Sequence, residues 1–253
     1  MNWETLRQRR IDQKRPLVMA HRGASALLPE NSLAAFQRAV DDGADVIETD
    51  LHFTKDNQIV LIHDPTLERT VHAAGRVRNY TLAQIKQFKL KQPPNRQQID
   101  ERVPTLRELI EQTNANVPLA LELKDPLFDQ PRYGQLLVDQ LRQTGLLGRC
   151  AVIGFKKSRV RLVESLAPEL VGGWITMHNP LPTQPAELLG PFWLLLLLNP
   201  FYVIWAHRLG KLVAPLDPWP EPRLWLYLWL GVDVILSDNP GLTRQNLKQK
   251  YNR

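Results

Sequence analysis

The sequence predicts an α/β chain folded as a (β/α)8 (TIM) barrel, with a hairpin and a small insertion after the second strand. Three observations predict it. Near-continuous apolar runs of strand length recur along the chain, the pattern of strands covered on both faces. Helical patterns lie between most of them, and several end in a glycine, at Gly43, Gly145, Gly210 and Gly231, a C-terminal stop signal. The 253 residues suit one such barrel, which takes about 250 residues. A single domain over 1–253 is therefore expected.

The first strand is expected over 16–21, with helix 32–42 after it and a second strand over 44–51. Only Lys55-Asp56-Asn57 separates the extended run that follows from a further strand, 58–63. Three residues cannot cross over to a parallel neighbour, but they can close a hairpin. Residues 51–63 therefore read as a hairpin excursion at the top of the second strand. Segment 64–104 holds turn residues, one short helical stretch (82–88) and the polar run 91–101. It reads as an insertion over the barrel mouth, either a substrate lid or a decorative loop. Strands resume at 118–124, 150–155, 170–177, 192–199, 212–217 and 233–238, which makes eight without the hairpin. Helices 105–114, 133–144, 158–166, 201–209 and 221–230 complete the alternation. The leucine run 194–198 reads as a buried barrel strand. The strand from 212 is expected to end near Pro215, because Pro215 and Pro218 lack amide donors.

Composition sets the class. At 43% hydrophobic and 23% charged residues, the chain can bury a sizeable core. The net charge of +6 suits anionic substrates or an anionic membrane face, or is an ordinary soluble surface. No long Lys/Arg block points to nucleic acid. Cys150 is the only cysteine, which excludes an intramolecular disulfide and a cysteine-based zinc site. It reads as a buried structural thiol. Residues 1–15 are dense in charge without an apolar core, so no signal peptide is read and a cytoplasmic location is expected. The most apolar stretch, 192–206, is broken by Asn199-Pro200 and falls short of the ~20 residues that span a bilayer. Its apolar and aromatic residues, with those of 225–229, read as core packing, or as a weak peripheral contact with an acyl chain or membrane.

The chemistry-bearing residues cluster at or just past the strands. Glu48 and Asp50 are two apart in a strand, so both carboxylates point to one face. They sit toward its C-terminal end, where barrel sites are built. Side-by-side carboxylates are costly to bury without a compensating cation, and one divalent metal is the natural solution. Glu122 and Lys124 repeat the spacing on the third barrel strand: Glu122 is expected as the third ligand and Lys124 as a phosphate contact, with a plain salt bridge between the two as the simpler reading. An all-oxygen set favours Mg2+, Ca2+ or Mn2+ over zinc. His52 continues the face and is a further candidate ligand. His21 ends the first strand beside Arg22 and Gly23, and is a catalytic candidate. His63 ends the return strand of the hairpin, where Asp64 either orients its imidazole or starts the Asp-Pro turn. Asn31 and Ser32 read as caps of the helix near Leu33. His72, His178 and His207 have no comparable setting.

This ordered set resembles the glycerophosphodiester phosphodiesterase family. The family's opening His-Arg-Gly is His21-Arg22-Gly23, and its Pro-Glu-Asn-Thr is Pro29-Glu30-Asn31-Ser32, with Ser for Thr. Its Glu-x-Asp is Glu48-Thr49-Asp50, its His-Asp is His63-Asp64, and its Glu-Ile-Lys is Glu122-Leu123-Lys124. Gly231-Val232-Asp233 and Ser237-Asp238-Asn239-Pro240 resemble its closing strand. The resemblance implies a (β/α)8 barrel and one divalent cation on Glu48, Asp50 and Glu122. It also implies His21 and His63 as the acid/base pair, with Arg22 and Lys124 on the phosphate. Such an enzyme would cleave small-molecule glycerophosphodiesters to glycerol 3-phosphate and an alcohol. A lysophospholipase D-type phosphodiesterase is the close alternative, and a non-catalytic binding barrel the distant one. The chain departs from the family on the seventh strand, where Leu216-Asp217-Pro218-Trp219 replaces Trp-Thr-Val-Asn. Asp217 or Trp219 is expected to face the leaving-group pocket and to favour a cationic headgroup, with helix capping as the alternative role for Asp217.

Overall fold

A computed structural model of the protein describes residues 8, 15–92, 99–113 and 117–251. Most of the charged stretch 1–15, the centre of the polar run 91–101 and Asn114 lie outside the described residues.

Eight parallel strands form the barrel wall: β1 (Leu17–His21), β2 (Val46–Phe53), then, past the hairpin strand β3 (Ile59–Leu61), β4 (Leu119–Leu123), β5 (Cys150–Gly154), β6 (Val171–Thr176), β7 (Leu188–Pro191), β8 (Leu212–Val213) and β9 (Val234–Ser237). The order around the wall is β8-β7-β6-β5-β4-β2-β1-β9, and β3 pairs antiparallel with β2. Helices cover the outside: α1 (Leu33–Asp41), α2 (Leu82–Ile85), α3 (Leu106–Gln112), α4 (Pro131–Gln143), α5 (Lys157–Leu166), α6 (Trp193–Leu198), α7 (Tyr202–Arg208), α8 (Leu224–Leu230) and α9 (Pro240–Tyr251). Strands β2, β4 and β5 are buried along their whole length, which accounts for their unbroken apolar runs. Cys150 is buried in β5, and burial pushes its thiol up to about 12, so it is inert.

The ring closes by a side chain. Asp233 N–H donates to the Val213 carbonyl (3.0 Å), and Val213 N–H donates to Asp233 Oδ2 (2.8 Å). The Asp238 N–H then reaches the Pro218 carbonyl (2.8 Å). Pro215 and Pro218 have no N–H for a regular ladder along this seam. Toward β7 the pairing continues past the expected end at Pro215: Ala214 and Leu216 N–H donate to the carbonyls of Leu189 and Pro191. His207 pairs through Nε2 with Asp233 Oδ2 (2.8 Å).

One expected strand is a helix. Residues 192–199 hold α6, and the barrel strand is the four-residue β7 before it. Leucine is a strong helix former without the β-branching that favours strands. Asn199-Pro200 stops the helix, since a residue before proline is pushed out of the α region. Helix α9, starting at Pro240, is absent from the sequence expectation. The segment from Asp64 onward packs around its own apolar cluster, which includes Leu67, Val71, Val77, Ile85 and Leu90.

Candidate active site

Strand register assembles the site. His21 of β1 pairs with Glu48 of β2, and Asp50 of β2 pairs with Glu122 of β4. His21 ends β1 and Glu122 is next to last in β4, while Glu48 and Asp50 sit in the middle of β2, which runs on into the hairpin. Glu48, Asp50 and Glu122 bring carboxylate oxygens within 4.8 Å of one another. Beyond β1 the chain turns sharply through Arg22 (φ 58°) and Gly23 (φ 81°). A Cβ on Gly23 would lie 2.6 Å from the Ala35 backbone, so only glycine lets α1 approach the turn. The turn aims the Arg22 N–H at Glu48 Oε2 (3.0 Å) and lays its guanidinium across Asp50 and Glu30.

Two atoms of this cluster are buried without an aligned hydrogen-bond partner: Asp50 Oδ1 and Arg22 Nε. Asp50 Oδ2 accepts from Asn31 Nδ2 (2.9 Å), but Oδ1 has only the Lys124 ammonium at 3.7 Å. Arg22 Nε lies 3.1 Å from Asp50 Oδ2 as an ion pair, with poor hydrogen-bond alignment. Burial, reinforced by Asp50 and Glu122, pushes the Glu48 carboxyl well above its usual range. Burial likewise pushes Glu122 up to about 7, although Lys124 Nζ donates to its Oε1 (2.8 Å). Asp50 goes the other way: burial raises it, but Arg22, Lys124 and His63 together hold it below the ordinary value. Three crowded carboxyls, two of them reluctant to ionise and one with an unpartnered oxygen, fit a hard divalent cation bound through oxygen.

Both histidines carry a carboxylate on Nδ1. His21 pairs with Asp238 Oδ1 (2.7 Å), which also accepts from Ser25 Oγ (2.8 Å). His63 pairs with Asp64 Oδ1 (2.6 Å). Such a partner fixes the ring and leaves Nε2 as the reactive nitrogen. Burial, then Arg22 and Lys124, lower the His63 pKa despite Asp50 and Asp64. Arg69 bonds Asp64 and also donates to both Glu30 oxygens (2.7 and 2.8 Å). A chain of alternating charge thus runs His63–Asp64–Arg69–Glu30–Arg22–Asp50.

His52 stands apart from the carboxylate group. Its Nδ1 faces Asp125 (3.5 Å) and its Nε2 the His63 carbonyl (3.2 Å). Ser32 caps α1 by accepting from Ala35 N–H (3.1 Å). Asn31 does something else: in a left-handed conformation it accepts from Thr49 Oγ1 (2.7 Å) and holds Asp50. Asp217 does not line the central cavity. Its two oxygens take Arg223 (2.6 and 2.7 Å) and the Tyr227 hydroxyl, while Trp219 is exposed. Of this segment, Leu216 is the residue that lines the cavity. Glu30, Arg69 and Asn31 had no role in the sequence reading beyond a cap for Asn31; Asp64 and Asp238, adjacent to a histidine or at a strand end, had the clearer signal.

A cavity opens beside the acidic cluster. His21, Glu48 and Glu122 form its polar end, and Met19, Ile153, Trp174, Ile175 and Leu188 its apolar walls. The site joins a cation cradle, two carboxylate-paired imidazoles, an arginine, a lysine and a largely apolar pocket.

Residues 21–163 match the glycerophosphoryl diester phosphodiesterase family. A glycerophosphodiester phosphodiesterase of Caldanaerobacter subterraneus subsp. tengcongensis is 32% identical over 247 residues, covering 92% of this chain and 98% of that protein. One from Bacillus altitudinis is 29% identical, covering 88% of this chain and 94% of the relative. Among solved structures, a glycerophosphodiester phosphodiesterase from Agrobacterium tumefaciens superposes with a TM-score of 0.78 at 22% identity, covering 90% of this chain and 98% of that one. An Oleispira antarctica phosphodiesterase, solved in complex with the product sn-glycerol-3-phosphate, gives 0.79 at 24% identity, covering 95% and 98%. The last two establish the barrel fold.

Proposed function

Because this chain belongs to the glycerophosphoryl diester phosphodiesterase family, we propose that it hydrolyses glycerophosphodiesters to glycerol 3-phosphate and an alcohol. The observation that carries this reading is the convergence of three carboxylates, Glu48, Asp50 and Glu122, beside two cations, Arg22 and Lys124. The first group suits a metal ion and the second a phosphate, as in a metal-assisted phosphate site.

Glu48, Asp50 and Glu122 would hold one divalent cation, Mg2+ or Ca2+, with Mn2+ also suited to the donors. When bound, it supplies Lewis-acid neutralisation of phosphate oxygen charge. Arg22 and Lys124 bind the remaining phosphate oxygens and offset charge that develops on them. His63, its pKa lowered by burial and the two cations, takes the proton of the nucleophile. Attack by water gives glycerol 3-phosphate directly, whereas attack by the substrate's glycerol hydroxyl gives a cyclic glycerol phosphate that a second attack, by water, opens. His21, backed by Asp238, gives a proton to the leaving alkoxide. Asn31 and the Arg69–Glu30 bridge keep Asp50, Arg22 and Asp64 in place.

The apolar cavity walls favour a second reading within the same chemistry, a lysophospholipase D-type enzyme whose substrate carries an acyl chain. Glycerol 3-phosphate release from glycerophosphocholine, and choline release from lysophosphatidylcholine, with and without EDTA, test both. Loss of release with EDTA and its return with Mg2+ or Ca2+ is expected. EDTA-resistant release would sink the metal assignment, and no release from any glycerophosphodiester would sink the reading itself.

A further inference from the structure

Helices α6, α7 and α8 pack inward on one shared cluster that includes Leu196, Tyr202, Ala206, Leu224 and Tyr227. Their outward faces therefore share one side of the barrel. A surface helix ordinarily turns charged or polar residues outward. These turn out Leu197, Leu198, Ile204, Trp205, Trp225 and Trp229. Phe201 at the α6–α7 corner is 71% exposed and Trp229 70%. Core packing, expected from sequence for this stretch, does not account for them. The apolar character reaches the mouth, where Phe155, Met177 and Trp219, each past the C-terminal end of a barrel strand, are also exposed.

Along α6 and α7 the charge has one sign. From 188 to 216 the sequence contains no Asp or Glu, but it carries His207, Arg208 and Lys211. Past the stretch, Asp217 pairs with Arg223 and Asp233 with His207, while Glu221 keeps its charge beside the Thr243 hydroxyl. Tryptophan and leucine on helices that carry an exposed Arg208 and no acid on their own outward face are the composition of a surface that rests in a lipid headgroup layer. No described helix is long and apolar enough to cross a membrane, so the contact is with one leaflet.

We propose that the outer faces of α6, α7 and α8, continuous with the apolar rim of the mouth, dock the protein on an anionic phospholipid bilayer. This brings the rim of the mouth beside amphiphilic phosphodiesters held in that leaflet, a substrate assignment that rests on the phosphodiesterase reading above. The docking itself does not.

Cosedimentation with phosphatidylcholine vesicles, with and without about 30% phosphatidylglycerol, tests it. The wild-type chain is expected to pellet with the anionic vesicles, with a blue shift of tryptophan emission, and less with the neutral ones. Phe201→Ser/Trp229→Ser should lower the bound fraction about tenfold, and Arg208→Gln should reduce it on anionic vesicles only. Thermal melts report whether the double variant folds; if it does not, Trp229→Ser alone and a salt series on the wild type give the answer. Wild type left in the supernatant, or variants that bind as wild type does, would overturn the proposal. So would a dimer that these substitutions convert to monomer, since the face would then belong to a second copy. Turnover of glycerophosphocholine, measured alongside, separates the two readings. Turnover without vesicle binding removes docking and leaves catalysis; vesicle binding without turnover does the reverse.

Discussion

Asp50 and Glu122 are register partners across the β2–β4 ladder, and a one-residue slip of that pairing would turn one of them out of the barrel. The acidic site is thus specified by the same backbone bonds that hold the wall, and His21 joins it through the β1–β2 register with Glu48. The cost of crowding the carboxylates is met by rigid strands on either side.

Asp50→Asn keeps the bond from Asn31 but removes charge from the oxygen that lacks a hydrogen bond. Cation affinity measured by calorimetry is expected to fall at least about tenfold, the scale of disturbing a metal site. Turnover should fall by more, because Arg22 loses its ion pair as well. Unchanged affinity would exclude Asp50 as a ligand.

His21→Ala and His63→Ala should each lower kcat by about 10²-fold or more, the contribution of positioned acid–base catalysis. Asp238→Asn, which keeps the size of the side chain that bonds His21 Nδ1, should have a smaller effect. Near-normal turnover in His63→Ala would remove it from the mechanism.

The carboxyl shifts predict how a cation stabilises the fold. Glu122, pushed up to about 7, and Glu48, also raised well above its usual range, hold protons more tightly in the folded protein than an unfolded glutamate, near pKa about 4.3, does. Their stabilising contribution is complete below that lower value and is lost as pH rises through the folded one. Bound metal replaces the protons. Saturating Mg2+ or Ca2+ should therefore raise Tm by ~5 °C or more near pH 8, and by much less near about pH 5.5. Scanning fluorimetry at both values reads this directly; equal shifts would disprove the coupling.

Gly23→Ala should destabilise the chain by ~2 kcal/mol or more, through a strained left-handed residue and a clash with the Ala35 backbone. Urea unfolding measures it. A loss under about half a kcal/mol would mean that the turn relaxes, contrary to its tight geometry.

Asp217→Asn tests the seventh strand. With both oxygens engaged by Arg223 and Tyr227, the substitution is expected to cost ~1–3 kcal/mol of stability. It should change turnover of choline-bearing and neutral glycerophosphodiesters by the same factor. Selective loss on the choline substrate would restore a headgroup role.

Much of this was legible in the chain itself. Glu48, Asp50, Glu122 and His21 were readable because a strand's two-residue period and its end fix where side chains go. The leucine run of α6 was not, since a short apolar stretch has no period to distinguish strand from helix, and composition had to arbitrate. Arg69 was hidden for another reason: it meets Glu30 across 39 residues, from an insertion whose path no local pattern encodes. The role of Asn31 was masked by its neighbour, because both residues suit a cap and only Ser32 is one.

The seam between β8 and β9 bears on how the protein comes into being. The three carboxylates lie between residues 48 and 122, whereas the partner of His21 is 217 residues further along the chain, at the end of the last strand. During vectorial synthesis the cation cradle is complete while the second half of the ring is still being made. Asp238 arrives with the strand that shuts it. A nascent chain halted before that point has the three carboxylates but not the one that pairs with His21, so the surroundings of that histidine are set by closure of the ring.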